Sequence, residues 1–202
     1  MILTPIAPDA MPRVLDVFAA GIQHHPMGRA VFTRIADTRR LCPGLQADLN
    51  EGRGKAVARA QRLGIPTRNE PPAVAFSWDG QVVRVQSEAS VVFHEIAHWQ
   101  ICPAWRRNLP DFGLGAGPET GRAAEADAAA CVDAATREEE ESLASLLGIL
   151  WEVEHEEPAL LAFAEQNWLE GYDQPVAGAH FIRSVAALVH RNLIGADGRP
   201  RV

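Results

Sequence analysis

His94 and His98 stand four residues apart in the run HEIAHW, with Glu95 directly after the first of them. Residues four apart on a helix share a face, so two imidazoles at this spacing converge on one tetrahedral or octahedral ion. Glu95 sits where a carboxylate reaches a metal-bound water without coordinating the ion, which makes it a candidate general base. This HExxH pattern predicts one divalent transition metal. Two histidines leave the coordination sphere short, and the third protein ligand is expected from a later helix. Glu125 is the choice for it, because the alanines of EADAAAC let a helix pack close while the glutamate points at the ion. Asp127, Glu119 and the run Glu138–Glu141 could serve in its place, although a run of four glutamates is more often a solvated face.

The other metal-binding side chains are set aside. His24 and His25 precede Pro26 in a loop, and adjacent histidines do not easily share an ion. His155, His180 and His190 have no partner pattern and are read as core or surface residues. Cys102 follows His98 at helical spacing, but Pro103 ends the helix there, so a closed structural site through this thiol is not expected.

The histidines need a rigid helix under them. Ser87 is placed to cap one running from about Glu88 to Gln100, with Pro103 just beyond its end. Ala89, Val92, Phe93, Ile96 and Trp99 form its apolar stripe, and His94 and His98 project from a neighbouring face. Upstream, AVAFSW, Asp79-Gly80 and QVVRV predict a β-hairpin. Downstream, the small-residue stretch 122–135 predicts a helix suited to close packing, followed by helices over 138–151 and 158–169. The last helix is expected from about Ala177 to Leu193, with a frayed polar tail after Gly195. At the amino-terminal end, 11–22 has helical spacing with Pro12 in its first turn, and short helices follow up to Pro72, Lys55–Leu63 being the best of them. The expected fold class is α+β, a mainly helical single domain with a small β-hairpin or sheet. Its parts are a variable helical segment over 1–72, a metal-site core over 73–170, and a carboxy-terminal helix and tail over 171–202.

Composition narrows the function classes. With 202 residues, 47% hydrophobic, the chain is long enough for one core, and its net charge of −7 lacks the basic footprint of a nucleic-acid or anionic-membrane binder. Cys42, Cys102 and Cys131 are an odd set without paired metal-finger spacing, so all three are read as thiols in a reducing cytosol. The opening MILTPIAPDAMPRVLDVFAAG is a poor secretion signal, and no apolar run approaches the roughly 20 residues of a membrane-spanning helix. A cytoplasmic protein with no membrane contact is expected.

Past His98 the sequence HEIAHWQICPAWRRNLPDFG resembles the elongation factor P hydroxylase family, in which a histidine-glutamate motif is followed at once by tryptophan, then a paired arginine and Asp-Phe-Gly. The matching residues are His94, Glu95, His98, Trp99, Arg106, Arg107, Asp111, Phe112 and Gly113, and the spacing agrees without gaps. The likeness is weaker around Glu125 and the WLEG run ending at Gly171. The chain departs from the family at Gln100, in place of cysteine, and at Leu114-Gly115-Ala116-Gly117, in place of aromatic residues. The segment from about His24 to Pro72 is longer than the resemblance leads one to expect before the motif.

The resemblance implies oxygen-dependent hydroxylation of a modified lysine on an elongation factor P-like protein substrate, with Fe(II) as the favoured metal. Glu125 would complete a triad of two histidines and one carboxylate that leaves positions open. Glu95 would orient water or take up a proton. Arg106 and Arg107 would contact an acidic protein partner, surface solvation being the other reading. Asp111 would hold a substrate ammonium or cap its loop locally. EADAAAC also resembles the third-ligand helix of gluzincin metalloproteases, so a zincin-like HExxH helix packed against a third-ligand helix is expected. The rival function is a small metallopeptidase using the same ligands with Zn(II). Peptide hydrolysis has no need of Trp99, the arginine pair or Asp-Phe-Gly, which favours the hydroxylase.

Overall fold

A computed structural model of the chain describes residues 6–7, 9–42 and 49–202, with only the backbone described for Leu49 and Asn50. In chain order the elements are α1 (Met11–Gly21), α2 (Pro26–Asp37), α3 (Leu49–Arg62), β1 (Thr67–Arg68), β2 (Val83–Arg84), α4 (Ala89–Ile101), α5 (Ala123–Ala128), α6 (Ala134–Glu154), α7 (Ala159–Glu165) and α8 (Pro175–His190). The architecture is mainly helical with one small parallel sheet of β1 and β2. None of the described helices is long and apolar enough to cross a membrane. Cys42, Cys102 and Cys131 are all free. The described residues form two compact units, one from those before 46 together with Ile149–Val202, the other from those between 46 and Gly148.

The first unit is built on aromatic rings. Phe18, Phe32, Phe163 and Phe181 are buried, with centroids from 4.9 to 6.3 Å apart and mostly tilted or edge-on, the arrangement that ring quadrupoles favour. Thr38 ties two segments together: its hydroxyl donates to the Ile35 carbonyl at 2.7 Å and accepts from the Leu160 amide at 2.9 Å, satisfying a free donor of α7's first turn. The tail expected to fray is instead folded back. Ile194 and Pro200 form an antiparallel bridge, and the Arg201 amide donates to the Leu193 carbonyl at 2.8 Å.

In the second unit α3 packs on α4, and its buried positions Gly52, Ala56 and Ala60 repeat every fourth residue, so small side chains permit the close approach. The expected hairpin survives only as its turn. Asp79 Oδ1 accepts from the Gln81 and Val82 amides at 2.9 Å each, but a single antiparallel bridge, Trp78 to Val83, joins the two arms. Pro71 and Pro72 carry no amide donor and start a 3-10 turn at Pro72–Val74, so the front half of AVAFSW does not ladder. The Ala75 carbonyl is taken by the Arg122 amide and that of Phe76 by the Arg84 guanidinium. The free edge of β2 pairs in parallel with β1 instead.

The HExxH helix falls within a residue of its expected bounds. Its N-cap is Glu88 and makes no side-chain cap, while Ser87 donates its hydroxyl to Glu119 at 2.7 Å. The single helix expected over 122–135 is broken in two. Asp133 accepts the Thr136 amide at 2.8 Å and starts α6 afresh, leaving α5 only six residues long. α6 then absorbs the helix expected over 138–151.

Candidate metal centre

α4 brings the Nε2 atoms of His94 and His98 to 2.9 Å, and Glu141 Oε2 from α6 lies 3.4 Å from each. Two nitrogens and one oxygen bound at 2.0–2.2 Å with angles near 90–110° stand about 2.8–3.6 Å from one another, so these separations suit one shared ion. This is the only group of three such donors among the described residues whose ligand atoms all lie within 4.8 Å of one another. His98 is buried, and His94 and Glu141 are partly open to solvent, which leaves a side for further ligands.

Glu125 is not brought to this point. It lies on α5 with 63% of its side chain exposed and pairs with Arg122 at 3.6 Å. The feature that favoured it, an acid followed by small residues, belongs more fully to Glu141. Ala144, Ser145 and Gly148 follow Glu141 on the same face at helical spacing. A Cβ on Gly148 would come within 3.0 Å of His94 Cα and 3.1 Å of its amide nitrogen, so the two helices meet backbone to backbone beside the ligands. The helical repeat also sorts the four glutamates: Glu138 and Glu139 are exposed, Glu140 is buried, and Glu141 joins the histidines. Asp127 and Glu119 are engaged elsewhere, Asp127 accepting the Ala116 amide at 2.8 Å and Glu119 the Ser87 hydroxyl.

Charge at the centre is unevenly shared. Burial pushes the Glu95 carboxyl up to about 8; His98 opposes this, and Asp111, Glu141 and Glu119 add to it. Burial, helped by the charge on His98, keeps His94 below its usual range. Burial also works against a charge on His98, but the Glu141 carboxylate outweighs it and raises that ring's pKa. Burial disfavours the Glu141 charge as well, yet His98 and the hydrogen bonds from both rings hold it well below the carboxylate range. Without metal, the pair of protonated His98 and ionised Glu141 therefore contributes its full stability below the ordinary histidine value of 6.5 and loses it as pH rises through the raised His98 value. At the acid end that contribution is lost as Glu141 protonates. A metal must displace the His98 proton, so Zn(II) affinity is expected to fall by about tenfold per pH unit below that raised value. Chelator competition across pH 6 to 8.5 measures the slope, and a flat profile would contradict the assignment.

Of the side chains expected to bind substrate, Arg106 and Asp111 are buried and Arg107 is half-buried. Arg106 is 1% exposed and bonds Glu140 at 2.6 Å, and the Arg107 guanidinium lies 3.9 Å from the Trp99 ring centroid. Asp111 is buried and takes the local role, accepting from the Thr120 hydroxyl at 2.5 Å and from the Gly117 and Trp78 amides at 3.3 and 3.4 Å. Cys102 keeps its proton, its pKa pushed up to about 11 by burial, and its thiol faces the Pro103 carbonyl at 3.4 Å. His24 and His25 are exposed, away from any such cluster.

No protein-family model, curated protein or solved structure matches this chain.

Proposed function

We propose that the chain is a metal-dependent hydroxylase that uses Fe(II), O₂ and a two-electron reductant on a protein substrate, one oxygen atom entering a C–H bond and the other leaving as water, resembling the enzyme that hydroxylates a modified lysine on elongation factor P. The observation that carries this reading is the convergence of His94, His98 and Glu141, two imidazoles and one carboxylate with a side left free. A bound Fe(II) would supply redox chemistry with O₂ at that open side. The protein's own part is to hold the ion through these three donors and to manage protons beside it. In the metal-free protein the Glu95 pKa is pushed up to about 8 by burial; a bound cation would favour its carboxylate, and Glu95 is the candidate for exchanging a proton beside the ion. Of the residues that carry the family resemblance, Arg107 lies over Trp99 of the HExxH helix and Phe112 lies against the His98 ring, while Arg106 pairs with Glu140 beside Glu141 on α6.

One observation favours a zinc metallopeptidase as the second reading: the ligand Glu141 opens a small-residue helix face against His94, the feature that the gluzincin resemblance attached to EADAAAC. The two are separated by incubating the iron-loaded protein with modified elongation factor P and a reductant such as ascorbate under air and weighing the product, alongside a peptide-library digest with the zinc form. A gain of one oxygen atom supports the hydroxylase; cleavage without it supports the peptidase. In either assay Glu95→Gln is expected to keep the metal and lose activity by about a hundredfold or more. Undiminished turnover by that variant would remove Glu95 from the chemistry.

A further inference from the structure

The ligand atom of His98 is shared, but its ring is held by something else. Among the described residues, the polar contacts of the His98 ring run through Nε2, the atom that would face the ion. The His94 ring meets it edge-on, with centroids 4.5 Å apart, and what lies against its face is Phe112, with centroids 5.5 Å apart and planes 23° apart. Trp78 stacks in turn on Phe112 at 5.3 Å, its plane within 2° of parallel. All three rings are buried.

Phe112 is there because the backbone is bent into an uncommon conformation. Asp111, Phe112 and Gly113 have φ of 42°, 55° and 69°, left-handed values that L side chains rarely adopt. Gly113 answers this by lacking a Cβ, which would sit 2.8 Å from Cys131 Sγ. Asp111 and Phe112 have no such relief, so the turn depends on its anchors. The Asp111 carboxylate gathers Thr120, Gly117 and Trp78, and its amide donates to the Trp78 carbonyl at 2.9 Å. The Trp78 indole donates to the Arg107 carbonyl at 2.8 Å, and the Arg107 guanidinium lies over Trp99, the neighbour of His98 on α4. The segment thus closes on the metal helix at two consecutive residues.

We propose that Phe112 is a positioning residue for the metal centre: its ring, aimed by the left-handed turn that Asp111 anchors and backed by Trp78, fixes the rotation of the His98 imidazole and so the direction of its Nε2 lone pair. Metal-bound histidines are usually oriented by a hydrogen bond to their second nitrogen, and here a ring face does that work. The inference rests on reading His94, His98 and Glu141 as a metal site.

The test compares the parent, Phe112→Leu and Phe112→Tyr in Zn(II) affinity by chelator competition and in the visible absorption of the Co(II) form, which reports ligand geometry. Phe112→Leu is expected to lose about tenfold or more in Zn(II) affinity and to shift the Co(II) bands, while Phe112→Tyr stays within about twofold of the parent with its bands unchanged. A folded Phe112→Leu protein with the parent's affinity and spectrum overturns the inference and leaves the metal site standing. A parent that takes up neither ion ends both. Should Phe112→Leu fail to fold, the zinc-loaded parent decides by NMR: stacking on Phe112 displaces the His98 ring protons upfield, and ordinary shifts there refute the positioning role.

Discussion

Glu141→Ala is expected to weaken Zn(II) binding by about a hundredfold or more, and Glu125→Ala to leave it unchanged. Removing one of three protein donors exposes the ion to water on that side and leaves two imidazoles that must compete with buffer and chelator. Glu141 is also the anion that holds the His98 proton in the metal-free protein, so its loss should lower the pH at which His98 titrates. Glu125 has neither role, being exposed and paired with Arg122. Glu138→Ala and Glu139→Ala serve as controls from the same run, since both side chains face solvent. His94→Ala and His98→Ala should abolish stoichiometric uptake. Elemental analysis of the purified variants with chelator competition gives the ranking, and a Glu141→Ala protein that binds like the parent would dismiss the triad.

The largest effect on stability belongs to Arg106→Met. It leaves Glu140, itself only 8% exposed, as a buried carboxylate without its partner, and breaking a buried pair from one side costs about 3–5 kcal/mol. Adding Glu140→Leu removes the stranded charge and should restore most of the loss, because the intact pair must itself offset the desolvation of two ions. One guanidinium nitrogen, Arg106 Nη1, is buried without a hydrogen-bond partner, which adds to what the double variant relieves. Urea unfolding of the two single variants and the double variant measures the coupling. The substrate-contact role that the resemblance implied for Arg106 makes the opposite forecast: unchanged stability and a raised KM. Since Glu140 adjoins Glu141 on α6, loss of the pair should also loosen the metal site.

The histidines were legible in the sequence because their geometry is local: a four-residue spacing and a helix with clear punctuation fix two donors and their shared face. The third donor depends on which later helix crosses α4, and that is decided by contacts no single segment reveals. Even so, the face running from Glu141 through Ala144 to Gly148 carried the clue, obscured because a run of acids looks like solvated surface. The aspartate at 133 was equally decisive and equally easy to pass over, since one side-chain cap split the expected helix and left Glu125 on a short, exposed piece. The environment of the arginine pair was hidden for a different reason. Charge suggests the surface, and only packing shows that Arg106 meets a buried glutamate and that the Arg107 guanidinium lies over the Trp99 ring. The hairpin turn was readable from Asp79-Gly80, while the missing ladder follows from two prolines and from carbonyls already claimed by arginine and backbone donors.

Gly80 gives that same turn a practical meaning. Its φ is 87°, and a Cβ there would lie 2.5 Å from the Asn108 carbonyl oxygen, in the segment that goes on to Asp111 and Phe112. Short polar corners between extended segments are where protein engineers splice epitopes and fluorophores, trusting that nothing depends on them. In this molecule such a graft would press on the backbone leading into Phe112, and, if that ring positions His98 as proposed, a reporter inserted for convenience would lower the uptake of metal.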